Sequence, residues 1–257
     1  MKSWSDQTIF YGFTLLLLAV LGMPELIGDS GLTLDLDLDL APGYGENGFS
    51  VFTWLIFGAR LSLFVALTGT MLSLSLGVFY GLMAGYWGGK VDAVMMRLID
   101  VLQAFPGILL ALYIAALLKP GIANLIFALC ATGWVGYARV ARAQVLTIKN
   151  REFILAASAL GATHKRILFG HILPNIWGPL WVQASFGISS LILAEASLSF
   201  LGLGVPPGTP SWGALLEQGV TYLLVAPHLV IAPGICIASA VLLFNFLGDW
   251  LRDRYEH

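Results

Sequence analysis

The sequence predicts an all-α, polytopic membrane protein with about six transmembrane helices, and three observations carry that expectation. Hydrophobic residues make up 58 % of the 257 and charged residues only 11 %, against roughly a quarter charged in a soluble domain. Six apolar stretches are each long enough to cross the bilayer, which takes about 20 helical residues for about 30 Å of hydrocarbon. Lys and Arg also collect on alternate connecting segments, as they do on the cytoplasmic side of membrane proteins.

The first stretch, 9–27, follows a single cation, Lys2. The residues after its apolar core, Gly22-Met23-Pro24-Glu25, lack a small-x-small cleavage pattern, so it reads as an uncleaved span. Next comes Leu32-Thr33-Leu34-Asp35-Leu36-Asp37-Leu38-Asp39-Leu40, a two-residue alternation with one leucine face and one acidic face. Carboxylates on one flat face do not enclose a cation, so this is expected to be an extended piece lying over the external ends of the spans. Gly43, Gly45 and Gly48 turn the chain, and 49–57 suits an interfacial helix. Residues 1–48 thus form a first helix and external segment, and 49–257 form the main membrane domain.

The remaining spans are 61–86, 94–118, 122–140, 176–203 and 223–247. Spans three to five contain Pro106, Gly107, Gly133, Gly136 and Gly187, which a bilayer tolerates where neighbouring helices cover the freed backbone. Between the last two spans, 202–213 is too rich in Gly and Pro for a regular helix and is expected to cap a pathway externally. With the amino terminus inside, Lys90, Arg97, Arg139, Arg142, Lys149, Arg151, Lys165, Arg166, Arg252 and Arg254 lie on the cytoplasmic side, and only Arg60 and Lys119 fall outside. Both termini are therefore expected in the cytoplasm.

Several functions are excluded. A net charge of −2 with no run of cations gives no nucleic-acid footprint. Cys130 and Cys236 lie in apolar runs without metal or redox spacing and read as packing residues. The four histidines are scattered, so neither a metal centre nor a nucleophile–base pair is evident. No GxxxxGK[ST] phosphate loop occurs, so no cofactor is expected on this chain; if nucleotide energy drives it, another polypeptide binds the ATP.

One polar, cation-bearing island stands out, NREFILAASALGATHKRILFGHILPN at 150–175. Phe153, Ala156, Ala157 and Leu160 recur at helical spacing. Gly161 suits the left-handed position after a helix end, Thr163 can cap the next helix, and Pro174 stands where a new span would begin. An apolar stripe on a helix–glycine–helix unit in the cytoplasm asks for a protein partner. Within the fifth span, Glu195 sits beside Ser197 and Ser199. An intramembrane carboxylate marks either a translocation path or a structural hydrogen-bonding group, and the sequence leaves both open.

The island resembles the cytoplasmic coupling loop of membrane subunits of binding-protein-dependent ABC importers. Their signature of Glu-Ala-Ala, three residues, Gly, then a Leu-Pro pair is matched by Ala156, Ala157, Gly161, Leu173 and Pro174. Leu155 occupies the glutamate position, with Glu152 one turn earlier. The resemblance extends from about residue 49 to 254. It includes Gly58-Ala59-Arg60-Leu61-Ser62-Leu63, Ala84-Gly85-Tyr86-Trp87-Gly88-Gly89, Ala104-Phe105-Pro106-Gly107, Gly136-Tyr137-Ala138-Arg139, Leu198-Ser199-Phe200-Leu201-Gly202-Leu203-Gly204 and Phe244-Asn245-Phe246-Leu247-Gly248-Asp249. These are similar to the second permease of the dipeptide/oligopeptide/nickel branch. One departure lies before the second span, where 43–50 reads GYGENGFS in place of the branch's Gly-Thr-Asp…Gly-Arg-Asp pattern.

The resemblance implies a type I ABC importer permease fold with a coupling helix between spans four and five, in the loop 150–174. It implies a bacterial inner-membrane, multi-pass subunit forming half of a translocation path. Its partners would be a second homologous permease in a heterodimer, two cytoplasmic ABC ATPases, an external substrate-binding protein and the bilayer. The subunit itself would not be an enzyme. Peptides are the implied substrate, with nickel or a metal chelate as the alternative. A stand-alone secondary transporter or channel using Glu195 is the competing class; it calls for an internal repeat, and the two halves of the chain show none.

Overall fold

The computed structural model describes residues 43–45 and 48–255. The expected first span at 9–27 and the Leu/Asp alternation at 32–40 lie outside the described residues. The described residues form an all-helical bundle in which four helices are long and apolar enough to cross a membrane, or five if one bent pair is counted as a span.

Helix α1, Val51–Trp87, runs unbroken for 37 residues. Ser50 caps it by accepting a hydrogen bond from the Thr53 N–H at 3.5 Å. The interfacial helix expected at 49–57 and the second span are thus one element, because Gly58 stays helical. α1 packs along α4, Ile122–Ile148. Gly77, Gly81 and Gly85 follow each other at four-residue intervals, and a Cβ on any of them would collide with the α4 backbone or with Val145. Three missing side chains therefore bring the two helix axes together, as small residues do in bilayers where no hydrophobic force joins helices.

The expected third span is broken. α2, Gly89–Gln103, and α3, Gly107–Leu117, meet at a bend of 77°. Pro106 supplies no N–H and disfavours a helical conformation at Phe105, which ends α2 there. Helix α2 is fastened to α4 by Asp92, which accepts from Arg142 at 2.5 and 2.6 Å. Arg139 donates to Asp100 at 2.9 Å one face further on, so Asp100 is an ion-paired surface residue. Between these pairs Ile99 is buried against Trp134, Val135 and Ala138.

After the short helix α5, Glu152–Ala159, the chain enters α6, His164–Phe200. This helix contains a π-helical stretch, Ile167–Ile172. A span was expected to start at Pro174, but α6 runs through it. The wider turn just upstream absorbs the missing N–H and the ring of Pro174, and Asn175 Nδ2 donates to the His171 carbonyl at 2.6 Å.

The Gly/Pro-rich stretch contains no helix up to residue 211 and is tied to the mouth of α4 where the Gly121 N–H donates to the Gly204 carbonyl at 3.2 Å. It then folds into α7, Trp212–Thr221, capped by Ser211, an element that the sequence reading did not contain. The last span is α8, His228–Tyr255, whose Phe244 joins the core with Ile192, Leu198 and Trp212. A second core, with Leu82, Val145, Ile154, Ile167 and Ile176, lies at the α5 end of the bundle.

Candidate functional site

Helix α5 presents two unlike faces. Ile154 is 4 % exposed and enters the core formed with Ile148, Ile167 and Leu168. Leu155 is 55 % and Leu160 88 % exposed, and Glu152, Phe153 and Ala156 also face outward, with Ala157 half-buried. So of the apolar stripe expected from spacing, Phe153, Ala156 and Leu160 point away from the bundle, and a single isoleucine anchors the helix to it.

The end of α5 is stiff. The Ala162 N–H donates to the Ala157 carbonyl and the Gly161 N–H to the Ser158 carbonyl, each at 3.0 Å, which is the Schellman arrangement. It requires the left-handed backbone that Gly161 adopts, φ +81°. Thr163 Oγ1 then accepts from the Arg166 N–H at 3.4 Å and starts α6. The platform beneath is tied to α1, since Tyr86 and His164 Nδ1 hydrogen-bond at 2.7 Å and Lys149 Nζ donates to the Gly85 carbonyl at 2.9 Å. Leu173 packs against the core under α5, while Pro174 is exposed on α6.

At the other end of α6, Glu195 is fully buried. Its carboxyl accepts from Ser199 Oγ at 2.8 Å, and the hydroxyls of Ser62 and Ser211 stand beside it. Those two hydroxyls also accept backbone N–H groups, Ser62 from Trp212 at 3.4 Å and Ser211 from Ala214 at 3.1 Å. The carboxyl thus lies where α1, α6 and the cap of α7 meet, hydrogen-bonded through Oε1, while its buried Oε2 has no hydrogen-bond partner among the described residues. Ser197 is not part of this knot; it is exposed and donates to the Leu193 carbonyl of its own helix at 2.7 Å.

A third feature was not singled out from the sequence. A cleft of about 360 Å³ opens at the α2–α3 bend, lined by Gln103, Phe105, Pro106, Thr132 and Gly136 among others. Pro106 lies within a stretch expected to be one span, and the opposing wall on α4 is remote in sequence. Among the described residues, no three His, Cys, Asp or Glu side chains come together as a metal set would require.

A bundle of membrane-spanning helices that holds out a rigid short helix with an uncovered apolar face, and that has a broken span opening on a cleft, fits a membrane transport subunit. Residues 77–257 match the family described as binding-protein-dependent transport system inner membrane component. The chain is 41 % identical over 216 residues to the dipeptide transport system permease protein DppC of Bacillus subtilis (strain 168), covering 83 % of this chain and 67 % of that protein. It is 39 % identical over 214 residues to the oligopeptide permease OppC of Haemophilus influenzae, with coverages of 83 % and 69 %. Against the di/tripeptide permease DppC of Pseudomonas aeruginosa the identity is 42 %, with coverages of 83 % and 71 %. The fold is that of a chain in an inward-facing structure of the MetNI methionine ABC transporter, with a TM-score of 0.64 at 19 % identity over 78 % of this chain and 95 % of that one.

The chain belongs to the binding-protein-dependent transport system inner membrane component family, and it is a multi-pass permease subunit of an ABC importer.

Proposed function

We propose that this permease carries peptides across a bacterial inner membrane as one half of a heterodimeric path, with residues from 49 onward forming the permease unit. A second homologous permease completes the path. Two cytoplasmic ATPases bind and hydrolyse the ATP, and an external binding protein delivers the substrate. Both termini lie in the cytoplasm, which puts α5 on the ATPase side. The outward apolar face of α5 carries this reading: Leu155 and Leu160 are exposed on a helix whose geometry is locked by its cap, and such a face needs a protein groove. Peptides are favoured over nickel or a metal chelate because the similar relatives from Bacillus, Haemophilus and Pseudomonas are peptide permeases.

Closure of the ATPases on ATP displaces α5, and the helix passes that displacement to the bundle. Glu152, Leu155, Ala156, Ala157 and Gly161 form the contact and its rigid cap; Leu173 supports it from below and Pro174 marks its return to the membrane. Glu195 and Ser199 hold the external end of the path together, and Ser197 faces its surroundings. The decisive experiment places a cysteine at Leu155 or Leu160 and cross-links in the purified complex. Adducts with a P-loop ATPase are expected; adducts only with lipid or with the sister permease would sink the reading. Uptake of alanine di- and tripeptides into proteoliposomes containing the assembled importer and its binding protein tests the substrate class.

A further inference from the structure

The broken span leaves a cleft that the coupling device and the Glu195 knot do not use. It lies about halfway along α4, where Thr132 and Gly136 face the end of α2 and the Phe105–Pro106 elbow. No charged side chain lines it. The nearest ions, Asp100 and Arg139, stand one turn away along α2 and α4 and are paired with each other at 2.9 Å. The polar groups are neutral. Gln103 lines the cleft with its amide uncommitted to any other described residue. Thr132 donates to the Leu129 carbonyl at 3.4 Å, which leaves its oxygen lone pairs as acceptors. Gln183 of α6 does not line the cleft itself but stands beside it: its Nε2 would lie 3.8 Å from a Cβ placed on Gly136.

We infer that this cleft is a main-chain subsite for the passing peptide, with Gln103, Gln183 and Thr132 as the contacting groups and Gly136 as the position that keeps it open. The inference rests on the peptide reading above. A primary amide offers one acceptor and two donors, so a glutamine can pair with both the C=O and the N–H of a peptide unit. One amide in the wall of the cleft, a threonine oxygen on α4 and a second amide beside Gly136 offer groups that match the repeating part of any peptide and ignore its side chains. Phe105 supplies an apolar wall against which side chains of any kind slide. Placement at a helix break near mid-depth is where transport proteins of several folds put polar groups without exposing backbone to lipid. Neutrality has a further consequence: a cationic, an anionic and an apolar peptide meet the same contacts, so selectivity among them is left to other parts of the importer.

The test uses the complete importer in proteoliposomes with saturating binding protein. It follows uptake of Ala-Ala-Ala, Ala-Lys-Ala and Ala-Glu-Ala together with ATP hydrolysis. Gln103→Leu and Gln183→Leu are expected to lower uptake of all three alike, by about tenfold for each amide lost, while stimulated ATP hydrolysis persists. Gln103→Asn, which keeps an amide, is expected to retain most of the uptake. p-Benzoylphenylalanine in place of Phe105 is expected to photo-cross-link radiolabelled Ala-Ala-Ala during turnover, and a tri-alanine with N-methylated peptide bonds is expected to label poorly. Undiminished uptake in Gln103→Leu, Gln183→Leu and the double variant overturns the subsite, as does a change that alters the ratio among the three peptides. Absence of labelling from position 105 in a transporting complex overturns it too. A wild-type importer that takes up none of the peptides overturns the peptide reading and the subsite together.

Discussion

Helix α5 and the Glu195 knot break the same rule in opposite directions. At α5, leucines stand in the open on a helix that touches its own bundle through Ile154. At Glu195, a carboxyl is withdrawn completely into apolar surroundings, with Ser62, Ser199 and Ser211 around it. The difference teaches how to sort anomalies in a membrane chain. A buried carboxyl that takes a hydrogen bond from a serine of its own fold has part of its desolvation offset locally. An apolar face with no partner in its own fold is addressed to another molecule.

The comparison can be broken most forcefully at Glu195. Glu195→Ala strands serine hydroxyls in the core, and it is expected to cost about 3 kcal/mol. A drop in melting temperature of the purified subunit and poor assembly would be the signature, whereas Glu195→Gln should remain folded. Normal melting of Glu195→Ala would remove the fastening role. Next in size is Gly161→Val, where a branched side chain meets φ +81° and strains the cap by about 1–3 kcal/mol. Peptide uptake and stimulated ATP hydrolysis should fall together by at least tenfold while membrane insertion is unchanged.

Smaller effects sharpen the contrast. Leu160→Ser removes the more exposed of the two leucines on the coupling segment and is expected to weaken ATPase association by roughly tenfold, in keeping with the loss of one buried leucine at an interface. Its melting temperature should stay put, which Glu195→Ala's should not. Leu155→Glu restores the carboxylate of the family signature and should leave co-purification with the ATPase within about twofold, since an exposed side chain adds little to the fold itself. Failure to assemble would mean that the ATPase groove has adapted to leucine. Ser197→Ala should change nothing measurable, because that hydroxyl only back-bonds its own helix.

Much of this was legible because it is local. The α5 repeat, Gly161 and the Thr163 cap all act within about a dozen residues, and the structure has them as spacing and cap chemistry require. Pro106 sits inside an apolar stretch at 94–118 that reads as one span, and the 77° bend that splits it depends on what α3 packs against. The glycine ladder at 77, 81 and 85 was visible as spacing, but its meaning needed α4 alongside. The serines around Glu195 come from positions 62, 199 and 211, so only folding could bring them together around that carboxyl. α7 was hidden because the Gly/Pro signal at 202–213 hides the start of a regular element behind it.

The unbroken course of α6 from the coupling platform to Glu195 has a mechanical meaning. Its 37 residues make a lever about 55 Å long. With the wide turn before Pro174 keeping the rod continuous, a tilt of about 5° imposed at one end displaces the other by about 5 Å, roughly one helical turn. A helix built this way turns a small angular step at its α5 end into a side-chain-sized displacement at its Glu195 end.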